Sequence, residues 1–490
     1  FPRVGVQREL KKAQEAYWKG KISQEELVKT AKELRMRHWT MQKDAGLSEV
    51  PAGDFAFYDH VLDMCCLLGC VPSRYNWSGQ ATDLDLYFAM ARGNEAAPAM
   101  EMTKWLNTNY HYIVPEFEAG QSFRISATKI FDEVQEALDA GLNPRPVLVG
   151  PVTFLLFGKS KSEGLEPLSL LPALLETYVE VLARLKEQGI KKVQIDEPVL
   201  CLDLKDVEKT ALKQAYETLS SVKDLDIVLA TYFEKLGDNT DLAFDLPVST
   251  IHVDLVRGDG QLEACVQKAK SFGKALSLGL VDGRNIWKND LRTSLKKAKQ
   301  AADVLGKDKV TIASSCSLLH SPIDLDCEDA LDNEIKSWLS FAKQKLSEVS
   351  AIAEGLENGE DAIASALADS DACVESRKTS SRIHNQNVKE RIAGITPDMY
   401  DRKNGFDVRQ GVQRAALGLP LYPTTTIGSF PQTKEIRKVR RDYKNGEIDY
   451  ATYEKAMNEE IDLVVKYQEN VDMDVLVHGE PERNDMVEYF

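Results

Sequence analysis

Cysteine, histidine and long apolar runs are all scarce in this 490-residue sequence. Its eight cysteines are scattered, so they do not form the dense disulfide framework of small secreted domains. No apolar stretch approaches the roughly 20 residues that a membrane-spanning helix needs, and no secretory signal is recognisable. These absences favour a soluble protein of a reducing compartment, and we expect a cytoplasmic location and no membrane partner.

Positive charge is also in short supply, since 61 Lys and Arg stand against 77 Asp and Glu, a net charge of −16. Such a balance argues against general nucleic-acid binding, because the phosphate backbone repels an acidic surface. It still leaves room for a local basic pocket that takes an anionic substrate. The hydrophobic content of 43% is ordinary for a globular protein, and the length predicts two or three domains.

Three of the cysteines, Cys65, Cys66 and Cys70, lie in the apolar run 61–71. No second pair of metal-ligating residues is close to them in the sequence. We interpret them as thiols of a hydrophobic core rather than as a metal site.

Apolar, β-branched runs alternate with helical segments over most of the first 350 residues. The alternation is typical of a parallel sheet covered by helices, and the capping-box pattern Ser23-Gln-Glu-Glu26 predicts the start of one helix. About eight such units fit a (β/α)8 TIM-type barrel better than the alternative, a doubly wound sheet. We therefore predict the α/β class, with strands at 110–114, 146–149, 192–195, 227–231, 251–254, 275–278 and 310–313.

Polar residues follow many of these strands, which indicates the rim of a pocket at one edge of the sheet. The alternative is that some of them only cap the helices that follow. They are Asp196-Glu197, Thr231-Tyr232, Asp254, Asp282 to Asn285 and Ser314 to Cys316.

The pattern changes after residue 350, where Ala-rich helical sequence is followed by a polar patch at 376–385. We predict three parts. Residues 1–350 form an N-terminal barrel, residues 351–420 a partly helical inter-domain linker, and residues 421–490 the first βα units of a second, incomplete barrel.

Two stretches near the end of the sequence suggest a binding site. The strand-like run 424–427 is broken by Gly428-Ser429, and unpaired backbone N–H groups at such a corner can hold a carboxylate. A second strand, 474–478, ends at Gly479-Glu480, which places a carboxylate at the edge where α/β barrels carry their chemistry. Alternatively, Glu480 is only a partner in a structural ion pair.

The beginning of the sequence recurs near its end at an offset of 426. Over positions 9–22, five of fourteen residue pairs are identical, whereas average residue usage gives about one. Residues 427–490 therefore look like the opening of a second copy of the first domain. A piece of 64 residues does not close a barrel, so we expect either a fragment of a longer protein or an appendage.

Several segments of the sequence are long and distinctive: 1–5, 8–12, 101–105, 108–112, 194–198, 281–287, 314–322, 424–433 and 478–490. In these segments the chain resembles the cobalamin-independent methionine synthases. The resemblance covers the whole chain, and it implies two (β/α)8 barrels that arose by duplication.

The resemblance also implies a reaction, the transfer of a methyl group from 5-methyltetrahydropteroyltri-L-glutamate, a polyglutamylated folate, to L-homocysteine, giving L-methionine. It implies Zn2+ in the complete enzyme, because zinc deprotonates the homocysteine thiol, and it implies no cobalamin. The family's zinc ligands and catalytic His correspond to positions beyond Phe490. We therefore expect no metal site, no catalytic residue and no activity in residues 1–490 alone, and we expect a monomer.

Site residues follow from the same resemblance. Ile427, Gly428 and Ser429 correspond to residues that grip homocysteine, and Glu480 corresponds to the carboxylate that takes its amino group. The basic members of the folate-binding set suit a polyglutamate tail, although Lys11 and Lys104 would also fit solvated surfaces. The implied folate contacts are Arg8, Glu9, Leu10, Lys11, Lys104 and Asn109.

Two other functions remain open from the sequence. One is a non-catalytic module that binds polyglutamylated folate or a partner protein. The other is a self-contained barrel enzyme that uses Asp196, Glu197 and Asp282. The latter predicts a deep pocket in the first barrel with carboxylates of displaced pKa.

Overall fold

The computed structural model describes residues 1–426 and 428–484 of the chain. The chain divides into two compact units, Phe1–His384 and Asn385–Phe490, which we call the first and the second unit. The division falls within the predicted linker, residues 351–420. It does not test the predicted bounds 1–350, 351–420 and 421–490, which stay a prediction.

Within the described residues, the strands all lie in the first unit. They are β1 Val50–Ala52, β2 Met102–Lys104, β3 His111–Ile113, β4 Glu116–Phe117, β5 Pro144–Val149, β6 Lys159–Ser160, β7 Lys192–Asp196, β8 Asp226–Ala230, β9 Thr250–Asp254, β10 Ala275–Val281 and β11 Val310–Ser314.

Helices occur in both units. Those of the first unit are α1 Glu9–Trp18, α2 Gln24–Asp44, α3 His60–Leu68, α4 Leu84–Arg92, α5 Lys129–Asp139, α6 Pro151–Leu156, α7 Leu171–Glu187, α8 Asp206–Leu219, α9 Thr240–Asp245, α10 Leu262–Phe272, α11 Leu291–Leu305, α12 Asn333–Ser337, α13 Ala342–Asn358 and α14 Ala364–Thr379. Those of the second unit are α15 Gln386–Ala393, α16 Phe406–Leu417, α17 Lys434–Lys444 and α18 Tyr450–Asn470. None of the helices in the described residues is both long and apolar enough to cross a membrane.

One curled parallel sheet organises the first unit, in the strand order β1-β5-β7-β8-β9-β10-β11. Every connection between neighbouring strands contains at least one helix, as parallel pairing requires. Neighbours pair in chain order, which is the barrel-type arrangement, so the predicted α/β barrel class is confirmed. Within residues 1–384 the sheet has seven strands, whereas we expected about eight βα units.

The prediction for residues 110–114 was wrong about the sheet to which they belong. β3 pairs antiparallel with β2, with Met102 opposite Ile113, in a separate hairpin. The aromatic and β-branched residues of this run favour a strand, but strand propensity does not specify the partner. Sequence reasoning also missed β1, because three residues with a central Pro51 carry almost no strand signal.

The core of the first unit lies between the sheet and the helices. Ile195, Leu229 and Ile251 on neighbouring strands are completely buried, and burial of each such side chain contributes about 1.5–3 kcal/mol. The cysteines interpreted as core thiols are confirmed as free and buried: Cys65, Cys66 and Cys70.

The internal repeat is visible in the local structure of the two units. Both α2 and α18 have 21 residues, and their bounds are related by the same offset of 426. Left-handed glycines recur at Gly20 and Gly446 and again at Gly53 and Gly479. The same turns therefore occur at equivalent positions, which supports a duplication.

In the second unit, the two predicted strands lie side by side. Thr425 and Val475 form a parallel bridge, and the N–H of Val475 donates to the carbonyl of Thr424 at 3.0 Å. Within the described residues this contact is an isolated bridge rather than a pair of full strands. Ile436 of α17 and Val464 of α18 are buried within the same unit.

Candidate functional site

Ser429 and Glu480 lie next to each other in the second unit. The Ser429 hydroxyl is 3.5 Å from Oε2 of Glu480. The N–H of Phe430 donates to the carbonyl of Gly479 at 2.8 Å, and this bond joins the two segments just beyond the bridge. A carboxylate and a hydroxyl thus meet where two parallel segments end.

Arg483 connects both side chains. Its Nε lies 2.7 Å from Oε2 of Glu480, and its guanidinium donates to Oγ of Ser429 at 3.1 Å. The cluster therefore presents one negative and one positive group within a few ångströms. That pattern is complementary to the ammonium and the carboxylate of an amino-acid zwitterion.

The backbone around this cluster is held by α17. Arg440 donates to the carbonyl of Arg483 at 3.2 Å and to the side-chain oxygen of Gln432 at 3.0 Å. The side-chain amide of Gln432 also donates to the carbonyl of Arg483. The residues that carry the cluster are therefore fixed to a helix.

Gly479 is required by the same geometry. Its φ is +72°, and a Cβ at this position would lie 2.3 Å from Cδ2 of Phe430. Any other residue would push Phe430 away and disturb the bond that brings Ser429 to Glu480.

The remaining residues predicted to bind homocysteine are Ile427 and Gly428. Ile427 lies outside the described residues. Gly428 is exposed in a bend, and no atom lies within 4 Å of a Cβ built on it, so there is open space beside the cluster.

Sequence reasoning missed Arg483, Arg440 and Gln432. A signal for Arg483 was present, because Glu480 and Arg483 are an acid and a base three residues apart in a segment already singled out. Arg440 and Gln432 act through backbone carbonyls, which leave no trace in the pattern of side chains.

At the start of α1, the residues predicted to bind the folate tail have different environments. Arg8 is exposed at the start of the helix with φ 58°, and Lys11 is exposed with Glu15 at 3.9 Å. Glu9 pairs with Arg37 at 2.8 Å. Leu10 is only 1% exposed, so its side chain anchors the helix in the core.

Lys104 and Asn109 lie on the hairpin formed by β2 and β3. Both are exposed. Lys104 is the last residue of β2, opposite His111, and the carbonyl of Asn109 is 3.0 Å from Nδ1 of His111. The N-terminal segment reaches the same hairpin, since the Arg3 guanidinium lies 5.6 Å from the centroid of the Tyr110 ring.

A cavity of about 1090 Å³ opens within the first unit. Asp196 lines it, together with His60, Trp105, Tyr232 and His320. Asp196 accepts hydrogen bonds from Tyr232 and Gln194, both at 2.7 Å. Burial raises the pKa of Asp196, and those two hydrogen bonds oppose the rise.

Glu197 and Asp282, the other two carboxylates of the self-contained-enzyme hypothesis, do not line this cavity. Glu197 is completely buried and accepts from the N–H groups of Val152 and Thr153 and from the Thr153 hydroxyl. Asp282 accepts from the N–H of Arg284 and the side-chain amide of Asn285. The three carboxylates are therefore not assembled as one catalytic group.

Two sequence models match the chain. The one described as "Cobalamin-independent synthase, N-terminal domain" matches residues 1–306, and "Cobalamin-independent synthase, Catalytic domain" matches residues 422–490. The two matches lie in the first and second unit respectively.

Curated relatives agree with these models. Proteins called 5-methyltetrahydropteroyltriglutamate–homocysteine methyltransferase from Acidithiobacillus ferrooxidans and Salinibacter ruber are 48% and 47% identical to the chain. Each alignment covers 100% of this chain, but 66% and 65% of the respective relative. The chain thus spans just under two thirds of the length of these relatives.

Among solved structures, a B12-independent methionine synthase from a Shewanella species, in complex with selenomethionine, has a similar fold. The TM-score is 0.50 at 14% sequence identity, and the match covers 70% of this chain and 92% of that chain. At this identity the similarity concerns the fold alone.

Proposed function

Because the chain belongs to the cobalamin-independent methionine synthase family, we propose that it takes part in methyl transfer from 5-methyltetrahydropteroyltri-L-glutamate to L-homocysteine. In this reaction the bond between N5 of the folate and the methyl carbon breaks, and a bond from sulfur to that carbon forms. The thiol loses its proton and the departing nitrogen gains one. The products are L-methionine and the demethylated folate.

The second unit holds the amino acid in this proposal, and the cluster of Ser429, Glu480 and Arg483 is the observation that carries it. Glu480 takes the ammonium group, since its side chain is 33% exposed and can accept a further donor. Arg483 and the open bend at Gly428 receive the carboxylate. Arg483 also holds the Glu480 carboxylate in position, because it pairs with that carboxylate at 2.7 Å.

The first unit holds the glutamate tail of the folate. Arg8, Lys11 and Lys104 are exposed cations on a chain of net charge −16, so each offers a positive charge to a run of carboxylates. Asn109 adds a neutral donor. Glu9 and Leu10 belong to the same proposed site, with the Glu9 carboxylate paired with Arg37 and the Leu10 side chain buried.

Zinc is implied by the family resemblance. Within residues 1–426 and 428–484, no group of three or more His, Cys, Asp or Glu side chains is placed to hold a metal ion. The side chains of these two ranges therefore do not fit a zinc site.

Calorimetric titration of the chain with L-methionine and L-homocysteine tests the amino-acid site. Glu480→Gln removes the charge that faces the ammonium, and loss of a hydrogen bond to a charged group costs about 1.5 kcal/mol or more. We therefore expect Kd to rise at least about tenfold. The matched control is Glu459→Gln, on the exposed surface of α18 beside Lys455, which should leave Kd unchanged.

A ligand without the amino group sharpens this test. 4-(Methylthio)butanoate is methionine without its ammonium, so wild type and Glu480→Gln should bind it equally. If Glu480→Gln loses the same affinity for both ligands, Glu480 maintains the shape of the loop and does not bind the ammonium group. Unchanged methionine affinity in Glu480→Gln, or no binding by the wild-type chain, would contradict the proposed site.

A further inference from the structure

The loop that follows β10 in the first unit, residues 282–287, is unusually well fixed. Asp282 accepts from the N–H of Arg284 at 2.8 Å and from the side-chain amide of Asn285 at 2.6 Å. Gly283 packs so tightly that an added Cβ would lie 2.7 Å from the carbonyl oxygen of Cys316. The first half of the loop is therefore held by both hydrogen bonds and close packing.

A buried lysine fixes the second half of the loop. Lys345 of α13 is 1% exposed and donates to Oδ1 of Asn285 at 3.2 Å and to the carbonyl of Trp287 at 3.0 Å. Ser321 donates to the carbonyl of Gly283 at 2.9 Å. Residues 281–287 are one of the distinctive segments of the sequence, and the proposed function does not use them.

Arg284 projects from this fixed loop onto the β2–β3 hairpin. Its guanidinium donates to Oδ1 and to the carbonyl oxygen of Asn107, both at 2.8 Å. It also lies 4.7 Å from the centroid of the Phe233 ring. Two parallel hydrogen bonds and a stacked ring use the planar fork of arginine in a way that lysine does not reproduce.

Asn107 lies at the tip of the hairpin, between Lys104 and Asn109. The base of the hairpin is fixed separately, since Trp105 is 2% exposed and the Tyr110 hydroxyl donates to Asp59 at 2.6 Å. Leu106, at the start of the tip, adopts φ 53°, a conformation that an L-residue keeps only when its surroundings impose it. The contacts of Arg284 with Asn107 supply a support at that point.

We propose that Arg284 is a positioning residue for the folate tail. By holding Asn107 it fixes the tip of the hairpin, residues 106–109, and so sets the direction of Asn109 and the approach to Lys104. This inference rests on the proposed function, in which Lys104 and Asn109 contact the glutamate tail. We assign Arg284 no contact with the tail, because the two guanidinium bonds that define its role are made to Asn107.

Equilibrium dialysis of the chain with the mono- and triglutamate forms of 5-methyltetrahydrofolate tests the proposal. The readout is the ratio of Kd for monoglutamate to Kd for triglutamate, which isolates the tail. Removal of two hydrogen bonds from a charged donor should lower this ratio about five- to tenfold in Arg284→Ala. Kd for the monoglutamate should stay at the wild-type value.

Three further variants separate positioning from charge. Arg284→Lys keeps the charge but not the planar fork of donors. Its ratio of the two Kd values should therefore fall nearly as far as that of Arg284→Ala. Asn107→Ala should lower the ratio less than Arg284→Ala does, because it removes the bond to Oδ1 and keeps the bond to the carbonyl. Its combination with Arg284→Ala should be no worse than Arg284→Ala alone, because Arg284→Ala already removes both bonds. Arg292→Ala, an exposed arginine of α11 that pairs with Asp371, is the control and should not change the ratio.

Amide hydrogen exchange gives a second readout, since residues 106–109 should exchange faster in Arg284→Ala and not in Arg292→Ala. Faster exchange with an unchanged ratio would overturn the proposal, because the tip would then move without effect on the tail. A ratio preserved in Arg284→Lys would also overturn it and assign Arg284 a simple charge effect. If the wild-type ratio is one, the proposed tail site fails, and this inference falls with it.

Discussion

Two buried carboxylates at strand ends of the first unit, Asp254 and Glu197, are held by hydrogen bonds to backbone N–H groups. Asp254 accepts from the N–H groups of Val256 and Arg257, and Glu197 accepts from Val152 and Thr153. Burial raises the pKa of Asp254 to about 6 and that of Glu197 to about 7, although these hydrogen bonds act in the opposite direction. At neutral pH such groups make folding more costly rather than less.

Glu197 allows a prediction about pH. Its pKa is raised from 4.5 to about 7 in the folded protein, so the folded state keeps a proton that the unfolded state releases. Its contribution to stability is therefore greatest below about pH 4.5 and is lost as pH rises to about 7. The shift corresponds to about 3 kcal/mol.

Glu197→Gln should flatten this dependence, because an amide does not titrate. Urea unfolding at pH 5, 6, 7 and 8 measures it: the wild-type midpoint should fall from pH 5 to 7, and the variant's midpoint should fall less. Glu187→Gln, an exposed residue at the end of α7, is the control. Parallel curves for wild type and Glu197→Gln would show that Glu197 is not the titrating group.

Helix starts are the elements that the sequence specified most directly. Ser23 accepts from the N–H of Glu26, and the Glu26 side chain accepts from the N–H of Ser23, so the predicted capping box of α2 is confirmed. At the equivalent position of the repeat, Asp449 caps α18 by accepting from Thr452. The cap depends only on residues within one turn, which is why the sequence alone revealed it.

Loss of this cap should have a small, defined cost. Ser23→Ala removes the acceptor for the N–H of Glu26 and should lower the free energy of unfolding by about 1 kcal/mol. Chemical denaturation of the variant measures the change. Ser271→Ala, within α10 and bonded to the carbonyl of Gln267, should change stability by less than about 0.5 kcal/mol. Equal effects would contradict a capping role.

Contacts between distant residues are the part of the fold and the site that the sequence did not reveal. The barrel class followed from the alternation of strands and helices, but the antiparallel pairing of β3 with β2 depends on a partner that propensity does not name. Arg284 and Asn107 are 177 residues apart, and Arg440 acts on backbone carbonyls. Glu480 could be selected because a strand-end carboxylate is a local feature, whereas its partnership with Ser429 comes from the fold.

At the scale of the whole molecule, the second unit begins with sequence that buries little. Neither α15 nor α16 has a buried residue, and large apolar side chains such as Met399, Phe406 and Leu421 are more than half exposed. Segments with few buried apolar contacts open at low free-energy cost. The central strands β8 and β9 of the parallel sheet, by contrast, are buried at four of their five residues each.

This difference predicts where a protease cuts first. Residues 382–403 contain Arg382, Lys389, Arg391, Arg402 and Lys403, all of them exposed. Brief trypsin digestion should therefore release a fragment that begins at Phe1 and ends within residues 382–403, and the intact mass of that fragment identifies the site. Replacing Lys389 and Arg391 by Gln should move the cut to the remaining basic residues of this segment and leave the first unit intact. A first cut within residues 192–314 would contradict a stable first unit, since cleavage there requires the parallel sheet to open.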